Sequence, residues 1–257
     1  MEITDYQVYV ERTIALPAGT DPNKITTGLV LEKDGSVRHV PTKVTKRDNV
    51  YYAQINSLTN SDYGVIWNPV EFADVAGHWS RDTVNDMGSR MVVNGVGARN
   101  YNPDADITRA EFAAIMVRGL GLRLEKGASP FTDVPASEWY ADVVKTANDF
   151  GLIAGYEDGT FRPQDKIMRQ EAMTIIARAM KITGLQKKLG SIDPAQALKP
   201  FLDASGVASW AKDGVASCVS AKIVTGRTED TLEGTSFITR AEVAAVIKRL
   251  LENSGLI

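Results

Sequence analysis

The chain has 257 residues, of which 44% are hydrophobic and 24% are charged, as expected for a folded protein of one large or two smaller domains. Its net charge of −3 excludes a general polyanion binder, so we expect no nucleic-acid partner. No apolar run approaches the roughly 20 residues of a membrane helix, so we expect no membrane insertion.

Residues 1–71 are typical of a β module. The first strand-like segment, at 8–16, is rich in β-branched residues but only loosely alternating. Further strand-like segments lie at 29–32, 37–40, 50–55 and 63–67. The turn residues at 33–36 predict a hairpin between the second and third strands. Five short strands predict a small antiparallel sandwich, either Ig-like or the last part of a larger one.

A short motif occurs three times in the rest of the chain. It reads Ile-Thr-Arg-Ala-Glu at 107–111 and 238–242, and Ile-Met-Arg-Gln-Glu at 167–171. Upstream of each copy come Phe-x-Asp, a tryptophan and a glycine. The tryptophans and the motif arginines both recur at intervals of 60 and 71 residues, which makes chance a poor explanation and indicates internal repeats.

Each repeat predicts a helix, a loop and a second, strongly apolar helix. One apolar stripe cannot bury itself, whereas three packed together form a shared core. The predicted fold class is mainly α: a pseudo-threefold trimer of helix-loop-helix repeats preceded by the all-β module. The predicted units are 1–71, 72–127, 128–185 and 198–257, with the extra residues of the longer interval in a linker at 186–200.

The motif begins as a capping box, in which Thr108 and Glu111, or Thr239 and Glu242, satisfy the amides of a helix N-terminus. This role does not explain the arginine between them, since a cation is mildly unfavourable at that end of a helix. Three such arginines indicate an anionic partner, which is either a repeat aspartate in a structural salt bridge or a bound carboxylate or phosphate. The motif arginines are Arg109, Arg169 and Arg240.

Further repeated residues are candidates for the same site. The tryptophans are core anchors of the first helices or groove walls for a sugar face. The aspartates are turn residues, acceptors of sugar hydroxyls or supports for the arginine. The glycines supply positive φ or keep a groove open. These residues are Trp79, Trp139, Trp210, Asp74, Asp133, Asp203, Gly95, Gly155 and Gly226. Tyr156 follows only the second glycine, so we expect the grooves to differ.

The pattern of Phe-x-Asp, Trp, Gly and Ile-Thr-Arg-Ala-Glu, three times over roughly 72–252, resembles S-layer homology domains. The resemblance implies a spindle-like pseudo-trimer with grooves between its prongs. It implies non-covalent anchoring of a secreted protein to the cell wall of Gram-positive-type bacteria. The implied partner is secondary cell-wall polysaccharide, often with a pyruvate ketal on N-acetylmannosamine, whose carboxylate the motif arginines read. Met168 and Gln170 depart from the motif.

We expect a monomer with no enzyme activity, no catalytic residue, no metal site and no cofactor. The only histidines, His39 and His78, lie in different modules, which argues against a histidine metal cluster or a catalytic triad. Two alternatives remain: a self-assembling S-layer lattice protein and a fragment of an enzyme that acts on wall polysaccharide. No signal peptide is recognisable, so we expect a piece of a longer exported protein. The occupied grooves, the exact glycan and the role of the β module remain open.

Overall fold

The computed structural model describes residues 5–257, so residues 1–4 of the predicted β module lie outside the described residues. The strands are β1 (Asp5–Ala15), β2 (Thr27–Leu31), β3 (Val37–Val40), β4 (Thr42–Arg47), β5 (Val50–Thr59) and β6 (Asp62–Ile66). They form two three-stranded antiparallel sheets, in the orders β1-β5-β4 and β3-β2-β6. The predicted hairpin is present, since Leu31 pairs with Val37. The strand that sequence reasoning missed, β4, is mostly polar and pairs along β5.

Eight α-helices follow in the described chain. They are α1 (Arg81–Ser89), α2 (Arg109–Gly119), α3 (Ala141–Asp149), α4 (Arg169–Ile182), α5 (Leu185–Leu189), α6 (Pro194–Leu198), α7 (Lys212–Ser220) and α8 (Arg240–Ser254). The first helices of the repeats are α1, α3 and α7, and the second helices are α2, α4 and α8. The short helices α5 and α6 occupy the predicted linker.

The predicted fold class was wrong, because the chain is 35% helical and 19% strand and its class is therefore mixed rather than mainly α. The first helices have only nine residues each, and irregular loops separate them from the second helices. The apolar pattern suggested longer helices than the backbone forms. In the first repeat, Trp79 precedes α1 and Met91 follows it with a φ of 63°.

The three second helices start beside a closed ring of backbone hydrogen bonds. Ile107 N donates to Ile238 O at 3.2 Å, Ile167 N donates to Ile107 O at 3.2 Å, and Ile238 N donates to Ile167 O at 3.1 Å. These isoleucines are buried, as are most apolar residues of α2, α4 and α8. The apolar stripes of the three repeats thus share one core, which continues into the first helices.

The β module packs on the C-terminal ends of α2 and α8. The last carbonyls of a helix have no partner within it, so a neighbouring donor stabilises them. Four side chains of the β module supply donors: Tyr9 to Leu120 O at 2.6 Å, Arg38 to Gly121 O, Lys43 to Gly255 O at 3.0 Å, and Asn56 to Leu256 O at 3.2 Å. The β module therefore covers the end of the helical core opposite the isoleucine ring.

His39 lies in β3 near this interface and is only 3% exposed. Its Nδ1 is 2.7 Å from the hydroxyl of Thr27. The pKa of His39 is lowered from 6.5 to about 3, chiefly by burial and in part by the charges of Arg90 and Arg38, while the charge of Asp86 acts in the opposite direction. The folded chain therefore holds this imidazole neutral where the unfolded chain would protonate it.

We predict that His39 makes the folded chain sensitive to acid. Between about pH 6.5 and 3 the unfolded chain binds a proton that the folded chain excludes, so stability falls as pH falls, by about 1.4 kcal/mol per unit. Denaturant titrations at pH 7 and pH 4.5 should show the wild type losing about 2–3 kcal/mol more than His39→Gln. Identical pH dependence of the two proteins would contradict this assignment.

Candidate functional site

The motif arginines are buried between neighbouring repeats, with exposures of 7% for Arg109, 4% for Arg169 and 8% for Arg240. Each donates through Nε to a loop carbonyl and through Nη1 to a glutamate of the next repeat in cyclic order. The partners are Phe161 O (2.9 Å) and Glu171 (2.8 Å) for Arg109, Leu232 O (2.8 Å) and Glu242 (2.6 Å) for Arg169, and Tyr101 O (2.8 Å) and Glu111 (3.5 Å) for Arg240. A closed ring of ion pairs therefore links the three repeats.

The motif glutamates have two functions at once. Glu111 accepts the amide of Thr108 with Oε2 and the guanidinium of Arg240 with Oε1. Thr108 completes the capping box by accepting the amide of Glu111 at 3.2 Å. The third repeat has the same arrangement. The structural salt bridge considered from the sequence is thus present, but its acceptor is a capping-box glutamate rather than an aspartate.

The second copy of the motif keeps half of its capping box. Glu171 accepts the amide of Met168 at 2.8 Å, but Met168 has no hydroxyl to return the interaction. Gln170, which replaces an alanine, is buried, and its Oε1 accepts the amide of Ala208 at 3.0 Å. This departure from the motif therefore adds a link between the second and third repeats.

The first amides of each second helix are already paired. Arg109 N donates to Asp165 O at 2.9 Å and Ala110 N donates to Pro163 O at 3.0 Å. Corresponding bonds start α4 and α8. These bonds join each helix N-terminus to the loop of the next repeat, so side chains must carry any recognition of an anion here.

The repeat aspartates each accept two consecutive loop amides. Asp133 binds the amides of Phe161 at 2.8 Å and Arg162 at 2.7 Å. Asp74 and Asp203 hold the corresponding amides of the other repeats. The first residue of each pair also presents the carbonyl that accepts the motif arginine. The aspartates therefore position the arginines indirectly, by fixing the loops that bind them.

The repeat glycines allow a tight contact between the Phe-x-Asp segment and the loop. A Cβ on Gly155 would lie 2.4 Å from the ring of Phe131 and 2.6 Å from Thr160 O. Gly95 is equally confined, and among the three only Gly226 has a positive φ, of 100°. Close packing thus explains the glycine at all three positions, and backbone conformation adds a reason only at Gly226.

The repeat tryptophans lie on the surface. Trp79 is 64% exposed, Trp139 is 60% exposed and Trp210 is 57% exposed. Side chains this exposed cannot anchor the first helices in the core, which removes one of the two interpretations drawn from the sequence. They leave three large apolar faces available to a ligand.

A groove of about 340 Å³ joins these features. Its wall includes Trp79 from the first repeat, Arg169 from the second, and Gly226, Arg227, Glu242 and Arg249 from the third. We call it groove 2–3, because the second and third repeats supply most of its lining and Trp79 of the first repeat completes it. A larger cavity of about 620 Å³, beside α6 and α7, contains none of the predicted site residues.

The residue after the repeat glycine differs in each repeat. Tyr156 lies under the guanidinium of Arg109, at 4.9 Å from ring centroid to Cζ, and its hydroxyl donates to Glu171 at 3.3 Å. Val96 is exposed. Arg227 instead donates to Glu242 at 3.0 Å. Thus Tyr156 is brought next to a motif arginine, and the three inter-repeat surfaces are chemically distinct.

Glu242 remains ionised between its partners. Burial alone would raise the pKa of Glu242, but the hydrogen bonds from Arg227 and the charge of Arg169 lower it below its ordinary value. Burial lowers the pKa of Arg169, and the charge of Glu242 opposes this shift. The pair is therefore a charged one at neutral pH.

Sequence reasoning missed a second set of repeated arginines, which we call the outer arginines. Each follows a motif arginine by nine residues and donates to a backbone carbonyl just after the first helix of its own repeat. The bonds run from Arg118 to Val92 O (2.8 Å), from Arg178 to Leu152 O (3.1 Å) and from Arg249 to Ile223 O (3.2 Å). The intervals of 60 and 71 residues between them would have revealed this set.

The three repeats match a known protein family. Residues 71–113, 130–173 and 200–244, which together exceed half of the chain, match the S-layer homology domain. The chain belongs to the S-layer homology domain family. Domains of this family are non-catalytic anchors that hold S-layer proteins and enzymes at the cell surface. The S-layer homology repeats thus identify a secreted protein of the cell wall or cell surface.

Relatives of the chain are much longer proteins. It is 31% identical to an amylopullulanase of Thermoanaerobacterium thermosulfurigenes over 96% of the chain and 13% of that protein. It is 33% identical to the exoglucanase XynX of Acetivibrio thermocellus over 77% of the chain and 18% of that protein. It is 30% identical to a surface-layer 125 kDa protein of Lysinibacillus sphaericus over 71% of the chain and 15% of that protein. The chain thus spans less than a fifth of each.

The match to the amylopullulanase reaches beyond the S-layer homology repeats. Because it covers 96% of the chain, it includes most of the β module, which the family match leaves out. Within residues 5–257, no helix is long and apolar enough to cross a membrane. The same residues contain no group of side chains suited to hold a metal ion.

We predict that Arg109→Ala destabilises the fold by about 3 kcal/mol, because it leaves the mostly buried Glu171 without its counterion and the carbonyl of Phe161 without its donor. Arg162→Ala is the matched control, since its ion pair with Asp158 is exposed to solvent and contributes little to stability. Denaturant unfolding measures both. Equal stability of the two variants would show that the buried ion pair is not needed for the fold.

We also predict that Met168→Thr stabilises the chain by about 1 kcal/mol, because it restores the missing half of a capping box. The backbone of Met168 already has the conformation of the other two caps, with φ −74° and ψ 153°. The reciprocal change, Thr108→Met, should destabilise by a similar amount. A loss of stability in Met168→Thr would mean that the packing of the methionine outweighs the cap.

Proposed function

We propose that the chain binds a secondary cell-wall polysaccharide that carries pyruvate ketals on N-acetylmannosamine, in the grooves between its repeats. Binding there would hold a longer exported protein on the wall without covalent chemistry. The observation that carries the proposal is groove 2–3, in which the exposed face of Trp79 meets three arginines and a single glutamate.

The chemistry of this groove suits an acidic sugar. An exposed indole offers a broad apolar face for a sugar ring and one N–H donor. A guanidinium forms charge-assisted and often bidentate hydrogen bonds with a carboxylate. Glu242 and Glu233 form ion pairs with Arg169 and Arg227, which leaves Arg249 as a positive charge that favours an anionic ligand over a neutral one.

Repeat correspondence extends the proposal to three grooves. Trp139 and Trp210 are as exposed as Trp79, and Arg109 and Arg240 occupy the positions that Arg169 has in groove 2–3. Several grooves on one rigid body raise the apparent affinity if one polymer reaches more than one of them. Anchoring would then depend on several individually weak contacts. The catalytic activity that some relatives' names describe would reside outside the anchor, in other parts of those longer proteins.

Calorimetric titration tests the proposal with two ligands: a pyruvylated fragment of wall polymer and the same fragment after removal of its pyruvate. We expect tighter binding of the pyruvylated fragment, with a stoichiometry that counts the working grooves. Equal binding of both fragments would show that the sugar alone is recognised. Absence of binding, together with concentration-dependent assembly of the chain, would favour the S-layer lattice alternative.

We predict that Trp79→Ala weakens binding of both fragments in groove 2–3 by about tenfold, or about 1.4 kcal/mol, because the sugar loses the apolar indole face against which it packs. Its unfolding free energy should stay within about 0.5 kcal/mol of wild type, since the side chain is 64% exposed. Trp67→Ala is the matched control: Trp67 is 59% exposed but lies in the β module. Unchanged binding by Trp79→Ala would remove the tryptophan from the site.

A further inference from the structure

The motif arginines are largely occupied by the protein itself. Nε and Nη1 of each are bonded to a loop carbonyl and a glutamate of the next repeat. Arg240 also uses Nη2, which donates to Asn94 O at 2.7 Å. These guanidiniums are therefore neutralised and held as parts of the fold, with limited capacity for a ligand.

The outer arginines have the opposite character. They are partly buried, and each makes one hydrogen bond to a backbone carbonyl. Throughout residues 5–257, none of the three has a carboxylate within ion-pair distance. A partly buried cation without a counterion is destabilising, and the same choice occurs in all three repeats.

Two outer arginines lie close to the motif arginine of the preceding repeat in cyclic order, and repeat correspondence predicts the same for the third. Arg249 lines groove 2–3 together with Arg169. Arg118 is near enough to Arg240 for their charges to interact: the pKa of Arg118 is lowered to about 10, chiefly by burial and in part by the charge of Arg240. Repeat correspondence places Arg178 with Arg109. Groove 2–3 thus holds at least two guanidiniums, and repeat correspondence predicts two in each of the other grooves.

We infer that the outer arginines bind the carboxylate of the wall polymer, while the motif arginines build and orient the grooves. This inference rests on the proposed function and names the residues that read the charged group. The bound carboxylate would supply the missing counterion and accept N–H groups that have no partner in the described chain. The planar fork of an arginine suits a carboxylate in two-point contact.

A purely structural role explains the outer arginines less well. Arg118 lies in the last turn of α2, where a cation is favoured by the helix dipole. Arg178 and Arg249 lie further from the ends of α4 and α8, so the dipole does not account for them. Their shared carbonyl contact is one that an uncharged amide could also make.

The test replaces the three outer arginines with glutamine, which keeps a donor for the carbonyl and removes the charge. Arg118→Gln, Arg178→Gln and Arg249→Gln are combined in the full chain, and binding of the pyruvylated and pyruvate-free fragments is measured at two salt concentrations. We expect affinity for the pyruvylated fragment to fall about 10- to 100-fold, to the level of the pyruvate-free fragment, with a weaker salt dependence. Affinity for the pyruvate-free fragment should not change.

Thermal unfolding without ligand separates function from structure. Removing unpaired, partly buried charges should leave the melting temperature unchanged or raise it. If the triple variant melts earlier and binds both fragments less well by the same factor, the outer arginines are structural and the inference is overturned. A second triple variant, Lys33→Gln, Lys46→Gln and Arg47→Gln, changes three exposed positions of the β module and controls for the loss of three positive charges.

Single variants test the contribution of one outer arginine in one groove. Arg249→Gln should remove preference for pyruvate in groove 2–3 alone and lower the number of tight sites by one. Arg249→Lys retains the charge but loses the fork, so it should recover only part of the affinity. A triple variant that still distinguishes the two fragments as well as wild type would overturn the inference and leave the proposed function standing. A wild-type chain without preference for pyruvate would overturn both.

Discussion

The fold depends on closing the three repeats into a ring. No repeat can bury its apolar stripe alone, so the contact between the third and the first repeat is as necessary as the two contacts between sequence neighbours. Two sets of bonds close the ring. One is the set of backbone hydrogen bonds among Ile107, Ile167 and Ile238, and the other is the set of ion pairs from each motif arginine to the motif glutamate of the next repeat. Helix capping, loop position and inter-repeat packing therefore meet at the same five-residue motif.

Because the motif's charged groups and helix amides are already bonded within the protein, few of them remain available to bind a ligand. One carboxylate, that of Glu171 for example, caps its own helix and neutralises Arg109 of the preceding repeat. The helix amides that usually attract anions are bonded to loop carbonyls. A residue in this position is sensitive to substitution whether or not it touches a ligand. Loss of binding in a motif-arginine variant would therefore not by itself identify a contact residue.

The sequence predicted the features that depend on local periodicity. The capping boxes at Thr108 and Thr239 and the apolar second helices follow from spacing within a few residues, and the repeats follow from the regular intervals between their landmarks. It did not predict the partner of Arg240, because Glu111 is 129 residues away and only ring closure brings it near. It also overestimated the helix content, since Trp79 fits the apolar period of α1 but lies outside the helix on the surface. Periodicity reports which residues are apolar, whereas tertiary contacts decide whether they are covered.

The motif arginines and the outer arginines differ in whether the protein supplies a carboxylate counterion, a difference that the sequence alone does not show. In both sets a cation recurs in every repeat, and both are at least partly buried. The motif set has its counterions within the protein, and folding alone accounts for it. The outer set lacks counterions among the described residues, so the fold retains an electrostatic cost that only an external anion would remove. No residue of the described β module lines groove 2–3, so the β module does not fill the surface proposed for the polymer.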